Sequence, residues 1–139
     1  MSMALEAFTE EWAVAWKDQL NSSPEYKVAA ARWEGAVVVV LTGGPGAGER
    51  AVFLDLHRGE CRAARTATPQ DRDTAPFVIA ADTASWQQLL AGAADPVGLV
   101  MRGKLRLLRG NPAAILPQVE AAEALVNAAA RIDSTFPES

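Results

Sequence analysis

The stretch DPVGLVMRGKLRLLRGNPAAIL, residues 95–116, decides the fold class. Asp95-Pro96 is a helix start, a side-chain acceptor followed by a residue preset for the first helical turn. VGLVM then supplies one short apolar piece of helix, and Gly103 is its exit, because glycine takes the left-handed conformation at a helix end without penalty. GKLRLLRG alternates as a strand, with Lys104 and Arg106 on one face and Leu105 and Leu107 on the other. Asn111-Pro112 reopens a helix whose apolar stripe reads Ile115, Val119, Ala122, Val126 and Ala129, with Leu116 and Leu125 beside it. Pro117 bends this element or splits a short turn from it. Helix, strand and helix in such quick succession call for a sheet with helices laid on it.

Upstream, Asp82 or Thr83 caps a helix that carries Trp86, Leu89 and Leu90 on one side and closes at Gly92. PFVIAAD (76–82) is a strand and TPQDRDTA (68–75) a polar loop. RAVFLDLH (50–57) and ECRAARTA (60–67) are strands joined by a tight turn at Arg58-Gly59. AVVVVLT (36–42) is continuous and β-branched, the composition of a strand covered on both faces. Two helices precede it. Leu5, Phe8, Trp12, Trp16 and Leu20 recur at three- and four-residue steps, with the charges mostly elsewhere. NSSPEYKVAAARW (21–33) starts a second helix, with Ser22 and Glu25 as a capping box, Pro24 in its first turn and Gly35 as its end. Five strands and segregated helices in this order make an α+β layer fold rather than a βαβ repeat.

The chain has 139 residues, the size of one domain (1–139) with a single core. Half of its residues are hydrophobic and only 6% aromatic, so the apolar content is mainly Ala, Val and Leu. A net charge of −4 gives no reason to expect nucleic acid as a partner. Cys61 is the single cysteine, which rules out an internal disulfide and fits a reducing compartment. The first twenty residues lack a basic leader, and no run reaches the length of a membrane span. The expectation is a soluble cytoplasmic protein with at most transient membrane contact.

Few residues carry chemistry. GGPGAGER lacks the Lys-Ser/Thr ending of a phosphate loop and precedes a strand, so it reads as a hairpin loop. Asp55 and His57 share one face of their strand, and Cys61 is placed to lie across the hairpin from His57, which leaves a small enzyme as one reading. Val52, Leu54 and Leu56 form the apolar face of that strand, so Asp55 and His57 fall on the wetter side. With one His and one Cys in the chain, a metal site lacks ligands. Trp12 and Trp16 pack against the sheet or against a second subunit, and a homodimeric scaffold with a filled core is a further alternative. Lys104 and Arg106 are either an ordinary solvated face or a positive patch at the mouth of an apolar site, suited to an acidic headgroup.

The ordered set SWQQLLAG, ADP, VGLVM, MRGKLRLLRGN and PAAIL resembles the sterol carrier protein (sterol-transfer) domain family. The family pattern is an aromatic-bearing helix, an Asp-Pro turn, a short apolar helix, Met-x-Gly-Lys-Leu, a strand, Gly-Asn and a last helix. NSSPEYKVAAARWEG and FLDLHRGECRAAR are similar to its stand-alone bacterial branch. The resemblance implies a five-stranded, mostly antiparallel sheet covered by helices on one side, with an apolar tunnel or cavity. It also implies non-enzymatic binding of a hydrophobic small molecule: a fatty acid, acyl-CoA, sterol or other isoprenoid. No cofactor is implied. The acidic balance and the ending FPES, unlike the basic, peroxisome-targeted animal proteins, favour acyl chains or isoprenoids over sterols. The lining expected on this basis is Trp86, Leu89, Leu90, Leu99, Val100, Met101, Leu105, Leu107, Ile115, Leu116, Val119 and Leu125, with Lys104 and Arg106 at the headgroup.

Overall fold

A computed structural model describes residues 4–42, 49–111, 113 and 116–136. The strands are β1 (Leu5–Glu6), β2 (Glu34–Thr42), β3 (Glu49–His57), β4 (Glu60–Thr66), β5 (Phe77–Asp82), β6 (Leu105–Arg109) and β7 (Ser134–Thr135). The helices are α1 (Glu10–Asn21), α2 (Pro24–Ala29), α3 (Pro69–Thr74), α4 (Thr83–Leu90), α5 (Pro96–Met101) and α6 (Val119–Ala130). A five-stranded sheet runs in the order β4-β3-β2-β5-β6, antiparallel except where β2 pairs with β5. This is the expected α+β architecture. A separate parallel pair, β1 with β7, clamps the two ends of the chain together.

Alternation along the strands separates two apolar layers. Val37, Val39 and Leu41 of β2, with Val52, Leu54 and Leu56 of β3, face the main core, which α1, α2, α4, α5 and α6 close. Val38 and Val40 face outward with Val78 and Ala80, and Ala75 packs onto them. The central strand is therefore buried on both faces, as its unbroken β-branched run requires.

That outer layer corrects one expectation. TPQDRDTA is not a loop but winds into α3, begun by a full capping box: Thr68 Oγ1 accepts from the Asp71 amide, and Asp71 accepts from the Thr68 amide. Arg65 lies over the Phe53 ring and forks onto Asp71, and its hydrogen bonds hold that carboxyl down to about 2.

The N-terminal helices also start later than their periodicity suggests. Leu5 lies in β1, Phe8 takes a left-handed φ of 63°, and Thr9 caps α1, accepting from the Trp12 amide. Phe8 nevertheless joins the same cluster, stacked on Trp12 with ring centroids 4.8 Å apart. Ser23, not Ser22, caps α2, and Gly35 lies inside β2 rather than at a helix end. Trp12 and Trp16 are buried within the chain, their indole N–H groups donating to Ser134 Oγ (2.8 Å) and the Leu125 carbonyl (3.0 Å). The surface needed for a Trp-mediated dimer is thus consumed by the core.

The β3–β4 turn is built on Arg58 (φ 48°) and Gly59 (φ 82°), the two positive-φ positions of a hairpin turn. The loop between β2 and β3 lies outside the described residues, but the strands pair as a hairpin up to Thr42↔Glu49. A Cβ on Gly59 would sit 2.6 Å from the Lys27 carbonyl oxygen and 2.9 Å from the Lys27 Cα, both backbone atoms of α2. Gly59→Ala is therefore expected to cost about 2–3 kcal/mol in urea unfolding, from strain and displaced backbone together. A loss under about 0.5 kcal/mol would mean that the turn and α2 separate freely.

Candidate functional site

A narrow apolar cavity of about 60 Å³ opens between the inner face of the sheet and helices α2 and α6. The sheet contributes Val37, Leu56, Phe77 and Ile79, α2 gives Tyr26, and Trp33 stands at the start of β2. Gln118, Ala121, Ala122 and Leu125 line the opposite wall. Period-two alternation puts Phe77 and Ile79 inside while Val78 faces out. Trp33 packs against Phe77 with centroids 4.8 Å apart and is fixed by its own indole N–H donating to the Gly35 carbonyl (3.0 Å). These two rings, half-buried, form the rim.

The helical wall is shaped by Pro117. It splits a single 3-10 turn, Leu116–Gln118, from α6, as its sequence position implies. The buried stripe of α6 is Ala121, Ala124 and Ala128 with Ala129, not the Val119, Ala122 and Val126 line expected. Small residues let the helix approach the core closely, while Val119, Ala122, Leu125 and Val126 are left half-buried along its edge.

Burial fixes the chemistry of the two titratable groups here. Tyr26 is 1% exposed, and loss of solvent pushes its hydroxyl pKa well up; the neighbouring Cys61 adds to that. Desolvation also pushes the Cys61 thiol up to about 12. Its Sγ donates to the Ala63 carbonyl (3.3 Å), and no reactive thiolate forms at neutral pH.

The structure brings together few of the residues singled out from the sequence. Leu125 lines the cavity. Trp86, Leu89, Leu99 and Leu105 are buried in the main core, and Leu90 packs half-buried against it. The Trp86 indole N–H donates to the Val40 carbonyl (3.0 Å), which pins α4 to β2. Leu107 pairs with Ile79 across the β5–β6 ladder, one strand from the cavity. Val100 and Met101 are exposed on α5, because a helix of six residues buries only Leu99. Ile115 and the side chain of Leu116 lie outside the described residues. Lys104 is exposed, and Arg106 pairs with Ala80, whose side chain belongs to the outer layer. Arg106 therefore faces away from the cavity.

The acid–base pair fares no better. Asp55 is held by Arg62 (3.1 Å), and His57 Nδ1 lies 3.8 Å from Glu34. The β3–β4 register sets Cys61 opposite Leu56, not His57, so the thiol points into the core and the imidazole to the wet face. Among the described residues, no three His, Cys, Asp or Glu side chains gather as a metal site would need.

Tyr26, Trp33, Phe77 and Gln118 were not singled out from the sequence as lining. Their faces were legible from alternation and helical spacing, but the place where packing leaves a gap was not.

Comparison with known proteins places this geometry. A model of the SCP-2 sterol transfer family matches residues 15–116. A crystal structure of sterol carrier protein 2 is 41% identical, covering 91% of this chain and 99% of its own, with a TM-score of 0.82. A conserved hypothetical protein from Thermus thermophilus, described as possibly a sterol carrier protein, is also 41% identical, with 96% and 94% covered and a TM-score of 0.83. The Aedes aegypti sterol carrier protein-2, solved in complex with palmitate, shares the fold at 15% identity, with 92% and 98% covered and a TM-score of 0.55. No curated protein matches the sequence significantly.

Proposed function

The chain belongs to the SCP-2 sterol transfer family, and we propose that it binds a long-chain lipid in the cavity between the sheet and α6. The observation that carries this reading is a lining built almost wholly from hydrocarbon and aromatic side chains and open at a rim of Trp33 and Phe77. An apolar surface of this kind does not hold water and is suited to a hydrocarbon ligand.

The cavity is small for that purpose. One water needs about 10–15 Å³ of such space, so about 60 Å³ accommodates a few methylenes at most. Uptake therefore requires α6 to move outward. Its alanine stripe supports such a shift, because short side chains do not interlock with the strands as leucines would. Asn127 ties α6 to α2 by an exposed hydrogen bond to Glu25 (3.2 Å), which water can replace. The Trp16 indole N–H on the Leu125 carbonyl (3.0 Å) is the bond to α1 that such a shift must stretch or break.

The energetics suit a carrier. Burying about 15 methylenes at about 0.8 kcal/mol each gains about 12 kcal/mol. Lost freedom and the opening of α6 remove about 4 kcal/mol or more, leaving micromolar affinity or somewhat weaker. The ligand class is an acyl chain or isoprenoid, a reading supported by the Aedes aegypti protein of the same fold, whose complex holds palmitate. The protein acts by binding, not catalysis: its one His and its Cys lie on opposite faces of the sheet, away from any shared substrate.

Titration of the delipidated protein with an environment-sensitive fluorescent fatty acid, with native mass spectrometry alongside, tests the reading. Saturable binding at one lipid per chain is expected, competed by unlabelled palmitate. Flat fluorescence and an unshifted mass across fatty acids and isoprenoid alcohols would overturn it.

A further inference from the structure

The tip formed by α5 and β6 exposes apolar and basic side chains together. Residues 96–110 hold four basic residues and no acidic one, in a chain whose net charge is −4. Among the described residues, Arg102, Lys104 and Arg106 enter no ion pair. Beside them stand large apolar side chains in water: Met101 is 83% exposed and Val100 54%. The turn that joins them is rigid, since the Gly103 and Lys104 amides donate back to the Val100 and Leu99 carbonyls (3.1 and 2.9 Å). Leu99 anchors the short helix in the core, which forces the two residues after it outward.

Apolar residues ringed by unpaired cations fit one kind of partner. We propose that this tip docks the protein onto an anionic phospholipid bilayer, with Met101 and Val100 entering the headgroup–acyl boundary and Arg102, Lys104 and Arg106 on the phosphates. The charge complementarity is local and directional. The first turn of α1 is acidic, with Glu10 and Glu11, and is repelled from the same surface. Two carboxylates face the patch. Asp95 caps α5 and shares a surface hollow with Arg102, and Asp82 is held ionised by hydrogen bonds from Ser85 and then by the fields of Lys104 and Arg106. Three cations, with Arg109 beyond them, outnumber these two acids and leave the patch positive. The tip lies at the Ala81–Leu105 end of the β5–β6 ladder, the opposite end of β5 from Phe77 at the cavity rim. The inference goes beyond the lipid-binding reading, and because vesicle capture is measured without cargo the two fail separately.

Flotation of the full chain with vesicles tests it. Phosphatidylcholine vesicles containing about a third phosphatidylglycerol are expected to capture the protein, phosphatidylcholine alone is not, and salt near 0.5 M should release it. Each cation near such a surface is worth about fivefold, so Lys104→Glu with Arg106→Glu should weaken capture at least about 25-fold. Met101→Asp, at a site too exposed to affect folding, should weaken it about tenfold. Lys27→Glu with Arg32→Glu makes the same change in net charge on α2 and its exit, and should cost much less. Equal losses from the two double variants, equal capture by neutral and anionic vesicles, or capture by neither would each overturn the proposal.

Discussion

Ala122→Trp should abolish fatty-acid uptake while leaving the protein folded. Ala122 is half-buried on α6 and lines the cavity together with Ile79 and Phe77 of the sheet. An indole there occupies the space a lipid would need and packs its outer edge against the aromatic rim, at a modest cost from overpacking. The free energy forgone by the ligand is that of the methylenes that no longer enter, several at about 0.8 kcal/mol each, and affinity should fall at least about 100-fold. Thermal unfolding should stay cooperative and fall no more than about 10 °C below the wild-type temperature. Ala122→Leu, which fills the cavity less, should give an intermediate loss and guards against overpacking by the larger ring. Wild-type affinity in both variants, with unfolding unchanged, would place the lipid elsewhere.

The elements that could be read from the sequence are those whose signal is local. Asp95 caps α5, Asp82 caps α4, Arg58-Gly59 makes the hairpin and Pro117 splits the 3-10 turn from α6, each through chemistry confined to a few neighbouring residues. The run of valines in β2 announces burial on both faces for the same reason. What could not be read depends on contacts between distant segments. Leu5 pairs with Ser134 only because α6 returns the chain to its beginning, and no periodicity in LEAF encodes that. Phe8 satisfies the helical spacing of Trp12 and Trp16 yet lies outside α1, since side-chain spacing marks a common core and not a common element. The site itself is the extreme case. Tyr26 and Leu56 line the cavity while Leu54, one step along the same face, fills the core. That difference is a residue of packing, set to within an ångström or two, and apolar pattern carries no information at that scale.

Trp86, expected from the sequence as lining, is buried in the main core and does not line the cavity between the sheet and α6. It is 4% exposed, its ring lies 5.4 Å from that of Phe8, and its N–H satisfies the Val40 carbonyl in the middle of the sheet. Trp86→Phe keeps the aromatic contact but loses the hydrogen bond to that carbonyl, at a cost of about 0.5–1.5 kcal/mol. Trp86→Ala adds the lost transfer energy and a void between α4 and β2, for about 5 kcal/mol in all. A domain of this size holds about 5–15 kcal/mol in reserve, so the alanine variant should be partly unfolded near 37 °C by far-UV circular dichroism and the phenylalanine variant should not. Lipid affinity of Trp86→Phe should stay within about threefold of wild type, since the cavity is lined by other side chains, from β2, β3, β5, α2 and α6. If instead its affinity falls more than about tenfold while urea unfolding is unchanged, Trp86 contacts the ligand. The lipid would then run past α4 toward the inner side of β6, and α4 rather than α6 would be the wall that yields.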